Sequence, residues 1–188
     1  MINNFSKDGI IKEINLYRCP VKLKEPFIIS LGKLEYADNV IVKIKTSVDV
    51  VGFGECSPFQ TIHGENGETC MAIGKVIGKV LLNNNAADVA HCLQLMDAVI
   101  FGNSCIKSAF DMALHDIASQ LAGLPLYKFL GGNIDKEIYT DYTISIGTPE
   151  KMASDAEKII HNGFTIIKVK LGKGLWRDPE ELKWHKWG

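Results

Sequence analysis

Residues 10–18 (IIKEINLYR) alternate apolar and polar side chains, and 39–46 (NVIVKIKT) set Val40, Val42 and Ile44 on one face with Ile41, Lys43 and Lys45 on the other. A period of two is the mark of half-buried strands. A short polar turn at 47–49 leads into VVGFGE at 50–55, so the pattern predicts a three-stranded antiparallel sheet. The stretch between the first two strands, KEPFIISLGKLEYA at 24–37, is too long for a hairpin turn and is expected to be a binding loop.

After Pro58 the period changes to that of helices, through roughly 65–121. The clearest helix is 104–121, where Ile106, Ala109, Phe110, Ala113, Leu114, Ile117, Ala118 and Leu121 alternate spacings of three and one along a single apolar face. Asn103 or Ser104 is expected to cap its start, and Gly123 and Pro125 to stop it. Strands followed by a run of helices predict an α+β unit, closed by LYKFLGGN at 126–133.

From Glu137 the order becomes strand (EIYTDYTISIG, 137–147), helix opened by Thr148, Pro149 and Glu150, then strand (FTIIKVKLG, 164–172). Two apolar strands joined by a helical crossover should be parallel and right-handed, as in one repeat of a barrel or a doubly wound sheet. The expected domains are therefore an α+β capping domain at 1–132, the first strands and helix of an incomplete barrel at 133–174, and an atypical tail at 175–188. All three tryptophans, Trp176, Trp184 and Trp187, lie in that tail, and two readings stand side by side: an abnormal, frameshifted end, or a helix over 179–187.

Composition narrows the function classes. With 21 basic and 22 acidic residues and a net charge of −1, the chain lacks the electrostatic footprint of a nucleic-acid or anionic-membrane binder, and a small-molecule partner is expected. Lys7, Asp8, Lys12, Glu13 and Arg18 leave no apolar signal region in the first twenty residues, and no run approaches a membrane span, so a cytoplasmic location is expected. Cys19, Cys56, Cys70, Cys92 and Cys105 are odd in number and widely spaced, without a CxxC pair or zinc spacing, and read as reduced, mostly buried thiols.

Candidate chemistry centres on Lys168 and Lys170. Two apart on a strand, they point to one face, about 7 Å apart. Thr165, Ile167, Val169 and Leu171 make the opposite face largely apolar, as expected where the lysine face is the inside of a barrel near its active end. Two ammonium groups at that distance repel by about 2 kcal/mol at an effective dielectric near 20, which favours one of them as a general base. Thr143 lies near the end of the preceding strand. Asp111 and His115, four apart on a helix, read as a solvated pair, and His63-Gly64-Glu65 lacks a third metal ligand nearby. GKVIGK at 74–79 lacks the spacing of a phosphate loop.

Taken in order, PFIISLG (26–32), NVIVKIKT, VGFGECSP (51–58), KSAFDMALHDIASQLAGLPLYKFLGG (107–132), TDYTISIG (140–147) and GFTIIKVKLG (163–172) resemble the enolase superfamily. Within it they are most similar to the muconate-lactonizing branch and to dipeptide epimerases of the Ala-Glu type. The resemblance implies an α+β cap over a (β/α)8 TIM-like barrel, Mg2+ as cofactor, and removal of a proton α to a carboxylate to give an enediolate. It implies Lys170 as catalytic base, Lys168 as the partner that meets the substrate carboxylate, and Thr143 as a substrate contact. In the Ala-Glu type the cap loop carries an arginine for the glutamyl carboxylate, and the matching position is Gly32, with Lys33 beside it. This implies a small or apolar second residue.

The family's metal carboxylates come from later barrel strands, as does a second lysine facing Lys170, and a full barrel needs about 250 residues. The expectation is thus an isomerase fragment, inactive alone and without metal ligands, acting by family on a dipeptide or related carboxylate. Relatives of the o-succinylbenzoate synthase and muconate cycloisomerase kind share the lysines, and a non-catalytic remnant or interaction module is the reading from another class. An open barrel also predicts self-association through its unpaired strand edge.

Overall fold

The computed structural model describes residues 9–29, 31–133 and 136–170; the tail at 175–188 lies outside the described residues. These residues form two compact units. One holds the described residues up to Val21 together with Ala37–Lys136, and the other holds Lys22–Tyr36 and the described residues from Glu137 onward.

A sheet of order β1-β2-β3 comprises β1 (Ile11–Ile29), β2 (Gly32–Thr46) and β3 (Val51–Cys56), of which all but the part of β1 and β2 within Lys22–Tyr36 lies in the first unit. β2 and β3 pair antiparallel from Val40 opposite Cys56 to Lys45 opposite Val51. The alternation seen in the sequence is realised: Val40, Val42 and Ile44 are fully buried, while Ile41, Lys43 and Lys45 are only half-covered. Five helices follow in this unit: α1 (Gln60–His63), α2 (Gly67–Leu81), α3 (Val89–Val99), α4 (Ser104–Leu121) and α5 (Leu126–Phe129).

α4 lies directly on β3. Gly52 and Gly54 face the carbonyl oxygens of Ala113 and Ala109, and a methyl group at either position would collide with that backbone. The predicted apolar face of α4 is the core: Ile106, Ala109, Phe110, Ala113, Leu114 and Ile117 are fully buried. The GKVIGK stretch lies inside α2, where Gly74 lets Leu16 of β1 approach the helix.

Two expectations are corrected. The segment 24–37 is not a loop, because β1 runs on to Ile29 and β2 resumes at Gly32. Its residues are exposed or half-exposed, so no buried face imposes an alternation that the sequence could display. The start of α4 is not capped by the side chain of Asn103, which is left-handed and makes no capping bond, and Ser104 is already helical. Glu65 does the capping. Its carboxylate accepts hydrogen bonds from the N–H groups of Cys105 at 2.8 Å and Ile106 at 3.2 Å.

The second unit contains β4 (Tyr142–Ile144), α6 (Pro149–His161) and β5 (Ile167–Val169). β4 and β5 are parallel, as the crossover predicts, with Thr143 opposite Lys168. Their regular ladder is shorter than the predicted strands, three residues each, and each strand is paired along one edge among the described residues. α6 begins as the sequence indicates: the Thr148 hydroxyl accepts from the Lys151 N–H at 3.3 Å, Pro149 opens the helix and Glu150 sits in its first turn. Ile144, Met152 and Ile159 form a small core with Ala156, Phe164 and Ile167. The fold is therefore an α+β cap followed by the first β/α/β repeat of a barrel. No helix among the described residues is long and apolar enough to cross a membrane.

Candidate functional site

Ile144 and Ile167 pack towards α6, so the pleat turns Thr143, Lys168 and Lys170 to the other face of the β4–β5 pair. Thr143 and Lys168 are ladder partners. One step further along, the Lys170 N–H donates to the Ile144 carbonyl at 3.2 Å, fixing the backbone of Lys170 just past the end of β5. Thr143 and Lys170 are half-buried and Lys168 is exposed. The ion pairs of this unit on α6 are Lys151 with Glu25 and Asp155, and Lys158 with Asp155. Among the described residues neither Lys168 nor Lys170 is in an ion pair.

The end of the β1–β2 hairpin belongs to the same unit and is tied to the segment after β4. The Ile146 N–H donates to the Ile28 carbonyl at 3.1 Å, and Lys151 reaches Glu25 at 3.4 Å. Gly32 lies at the tip with φ of 144°, a conformation that side-chain-bearing residues avoid, and open space surrounds it. Lys33 beside it is paired with Glu35 at 2.7 Å, and that ammonium group holds the Glu35 carboxyl below its usual range by hydrogen bonding.

The other candidates go elsewhere. Asp111 and His115 form an i,i+4 pair at 2.9 Å on α4. His63 accepts a hydrogen bond from the Phe59 N–H at 3.1 Å, and Glu65 is the cap described above. Linear spacing missed one convergence: Cys56, Cys70 and Cys105 are buried with their sulfur atoms all within 4.8 Å of one another. They come from the end of β3 and the first turns of α2 and α4. No spacing rule finds such a set, and only the topology brings it together.

A family model, the N-terminal domain of mandelate racemase / muconate lactonizing enzyme, matches residues 12–131. The D-Ala-D/L-Ala epimerase of Cytophaga hutchinsonii is 56% identical over 174 residues, covering 93% of this chain and 47% of that protein. The L-Ala-D/L-Glu epimerase of Bacillus subtilis is 38% identical over 164 residues, covering 87% of this chain and 44% of that protein. Among solved structures, the dipeptide epimerase of Cytophaga hutchinsonii complexed with Mg and D-Ala-L-Val superposes with a TM-score of 0.85 at 58% identity. It covers 86% of this chain and 44% of that one. The chain spans about half the length of the curated relatives it matches.

Proposed function

The chain belongs to the mandelate racemase / muconate lactonizing enzyme family of the enolase superfamily, and on that premise we propose that it carries the base-bearing part of a dipeptide epimerase. The observation that carries this reading is the pairing of Thr143 with Lys168 on the lysine face, with Lys170 one pleat further on. In this reading residues 1–132 are the cap and 133–174 the start of the barrel.

Lys170 takes the proton from the substrate carbon α to the carboxylate. Lys168 holds that carboxylate by charge, and the Thr143 hydroxyl supplies a hydrogen bond that orients it. Fixing Lys170 by its own backbone hydrogen bond, next to the β4 ladder, limits the positions its amine can take. Epimerisation also needs an acid on the opposite face of the carbon, and this proposal places that group outside the described residues.

The Mg2+ that the family implies does not fit the residues of this site. Its face offers two ammonium groups and a hydroxyl, whereas Mg2+ takes oxygen ligands, chiefly carboxylates and water. Among the described residues, the cluster of metal-ligand type is made of three thiols. The carboxylates for that ion belong, in this proposal, to a longer polypeptide. A cytoplasmic setting suits five free cysteines, and self-association through the edges of β4 and β5 that are unpaired among the described residues belongs to the same reading.

Two experiments test the reading. The 188-residue polypeptide, incubated with Mg2+ and an L,L-dipeptide in D2O, should show no α-proton exchange by NMR. A chimera in which residues 10–170 replace the matched part of the Cytophaga hutchinsonii epimerase should epimerise L-Ala-L-Ala, and Lys170→Ala should abolish this. A folded chimera that keeps its rate after Lys170→Ala would refute the assignment.

A further inference from the structure

We propose that Cys56, Cys70 and Cys105 bind one soft, thiophilic divalent cation, with Zn2+ as the ion the geometry fits, within the first unit. The three sulfur atoms lie within 4.8 Å of one another. Tetrahedral Zn2+ with Zn–S bonds of about 2.3 Å places its sulfur ligands about 3.8 Å apart, so the thiols need to draw in by about 1 Å at most.

The positions are held by the fold. Cys56 is the last residue of β3, paired with Val40, and Cys70 and Cys105 stand in the first turns of helices of 15 and 18 residues. All three are buried, at 4%, 0% and 8% exposure. The Cys105 N–H and the Cys70 thiol both donate to Glu65, the latter at 3.5 Å to Oε2. That oxygen, which also accepts from the Ile106 N–H at 3.2 Å, would be the fourth ligand through a remaining lone pair, while Oε1 keeps the 2.8 Å bond from the Cys105 N–H.

The charge balance follows from the same elements. Each thiol gives its proton to solvent as the cation binds, and the resulting negative charge faces the N-terminal ends of α2 and α4, whose dipoles favour it. Burial pushes the Cys56 thiol up to about 12 and raises Cys70 and Cys105 as well, which makes them poor nucleophiles without an ion. A hard ion such as Mg2+ gains little from thiolates, so this site is chemically distinct from the family's metal.

The test uses the purified 188-residue chain after treatment with a chelator. Co2+ should bind with one equivalent, give a thiolate-to-cobalt charge-transfer absorption, and be displaced by Zn2+. Zn2+ should also raise the melting temperature where Mg2+ does not. Cys56→Ala, Cys70→Ala and Cys105→Ala should each weaken binding by more than the about 10–100-fold lost on removing an outer partner of a metal ligand. Cys19→Ser, at the exposed cysteine, should change nothing. Absence of the charge-transfer band in the unmodified chain overturns the proposal, and needs no variant to fold. So does equal loss of the band in Cys19→Ser, or Zn2+ and Mg2+ shifting the melting temperature alike.

Discussion

The buried carboxylate of Glu65 accepts hydrogen bonds from the backbone of Cys105 and Ile106, 40 and 41 residues away, and so serves as the N-terminal cap of α4. A charge at a helix start both satisfies donors that the helix leaves open and interacts with its dipole. Glu65→Ala strands two N–H groups in the core and should cost about 1–3 kcal/mol. Glu65→Gln keeps one acceptor oxygen but sets an NH2 group where the second N–H donated, so it should cost less than Glu65→Ala, about 1 kcal/mol. Urea unfolding of the three chains checks the order, and equal stability of Glu65→Ala and the parent would sink it.

The contact of α4 with β3 gives a second prediction. Gly54→Ala drives a methyl group into the Ala109 carbonyl, part of a helix backbone that cannot swing aside, and should cost about 1–3 kcal/mol or more. Gly64→Ala is the control. At φ of 73° with open space around it, it bears only backbone strain, about 1 kcal/mol. Thermal melts should rank Gly54→Ala well below Gly64→Ala.

A third prediction concerns acid. Asp38 accepts a two-pronged bond from Arg18, at 2.8 and 2.9 Å, and a further bond from the Gly67 N–H at 3.1 Å. The hydrogen bonds from Arg18 lower the Asp38 carboxyl below its ordinary 3.8. A carboxyl lowered by folding contributes stability that is complete above its unfolded value and is lost as pH falls through the folded one. Asp38→Asn should therefore be less stable than the parent at pH 7, by about 1 kcal/mol for a partly exposed pair. The difference should vanish in the window below 3.8. A constant difference down to pH 2, read by urea melts at several pH values, would show that the charge is not the cause.

Much of this was legible beforehand, for reasons that differ by element. The faces of β2, α4 and the β4–α6–β5 repeat could be read because each buries one side, and burial writes its period into the sequence. The hairpin end at 24–37 could not, since strands without a buried face have no period to show. That Lys168 and Lys170 share a face was legible because residues two apart on one strand do so whatever surrounds them. The Glu65 cap and the three thiols join residues 14 to 49 positions apart, and nothing local encodes such meetings.

Specificity is the last prediction, and it rests on Gly32. In the proposed reading an arginine at this position would meet an acidic second residue of the dipeptide, but φ of 144° disfavours any side chain there. Lys33, the adjacent cation, is already held by Glu35 at 2.7 Å. A glutamyl carboxylate entering under this hairpin would be desolvated without a free positive partner, and an unpaired buried charge is expensive. The chimera carrying residues 10–170 should thus epimerise L-Ala-L-Ala faster than L-Ala-L-Glu, by about tenfold or more, equivalent to about 1.4 kcal/mol in the barrier. Gly32→Arg should not reverse the order, because the backbone resists it. Glu35→Ala should, by freeing Lys33, raise the relative rate on L-Ala-L-Glu. Rates on the two dipeptides for the three chimeras decide the matter: a preference of the unmodified chimera for L-Ala-L-Glu would show that the hairpin tip does not set the choice.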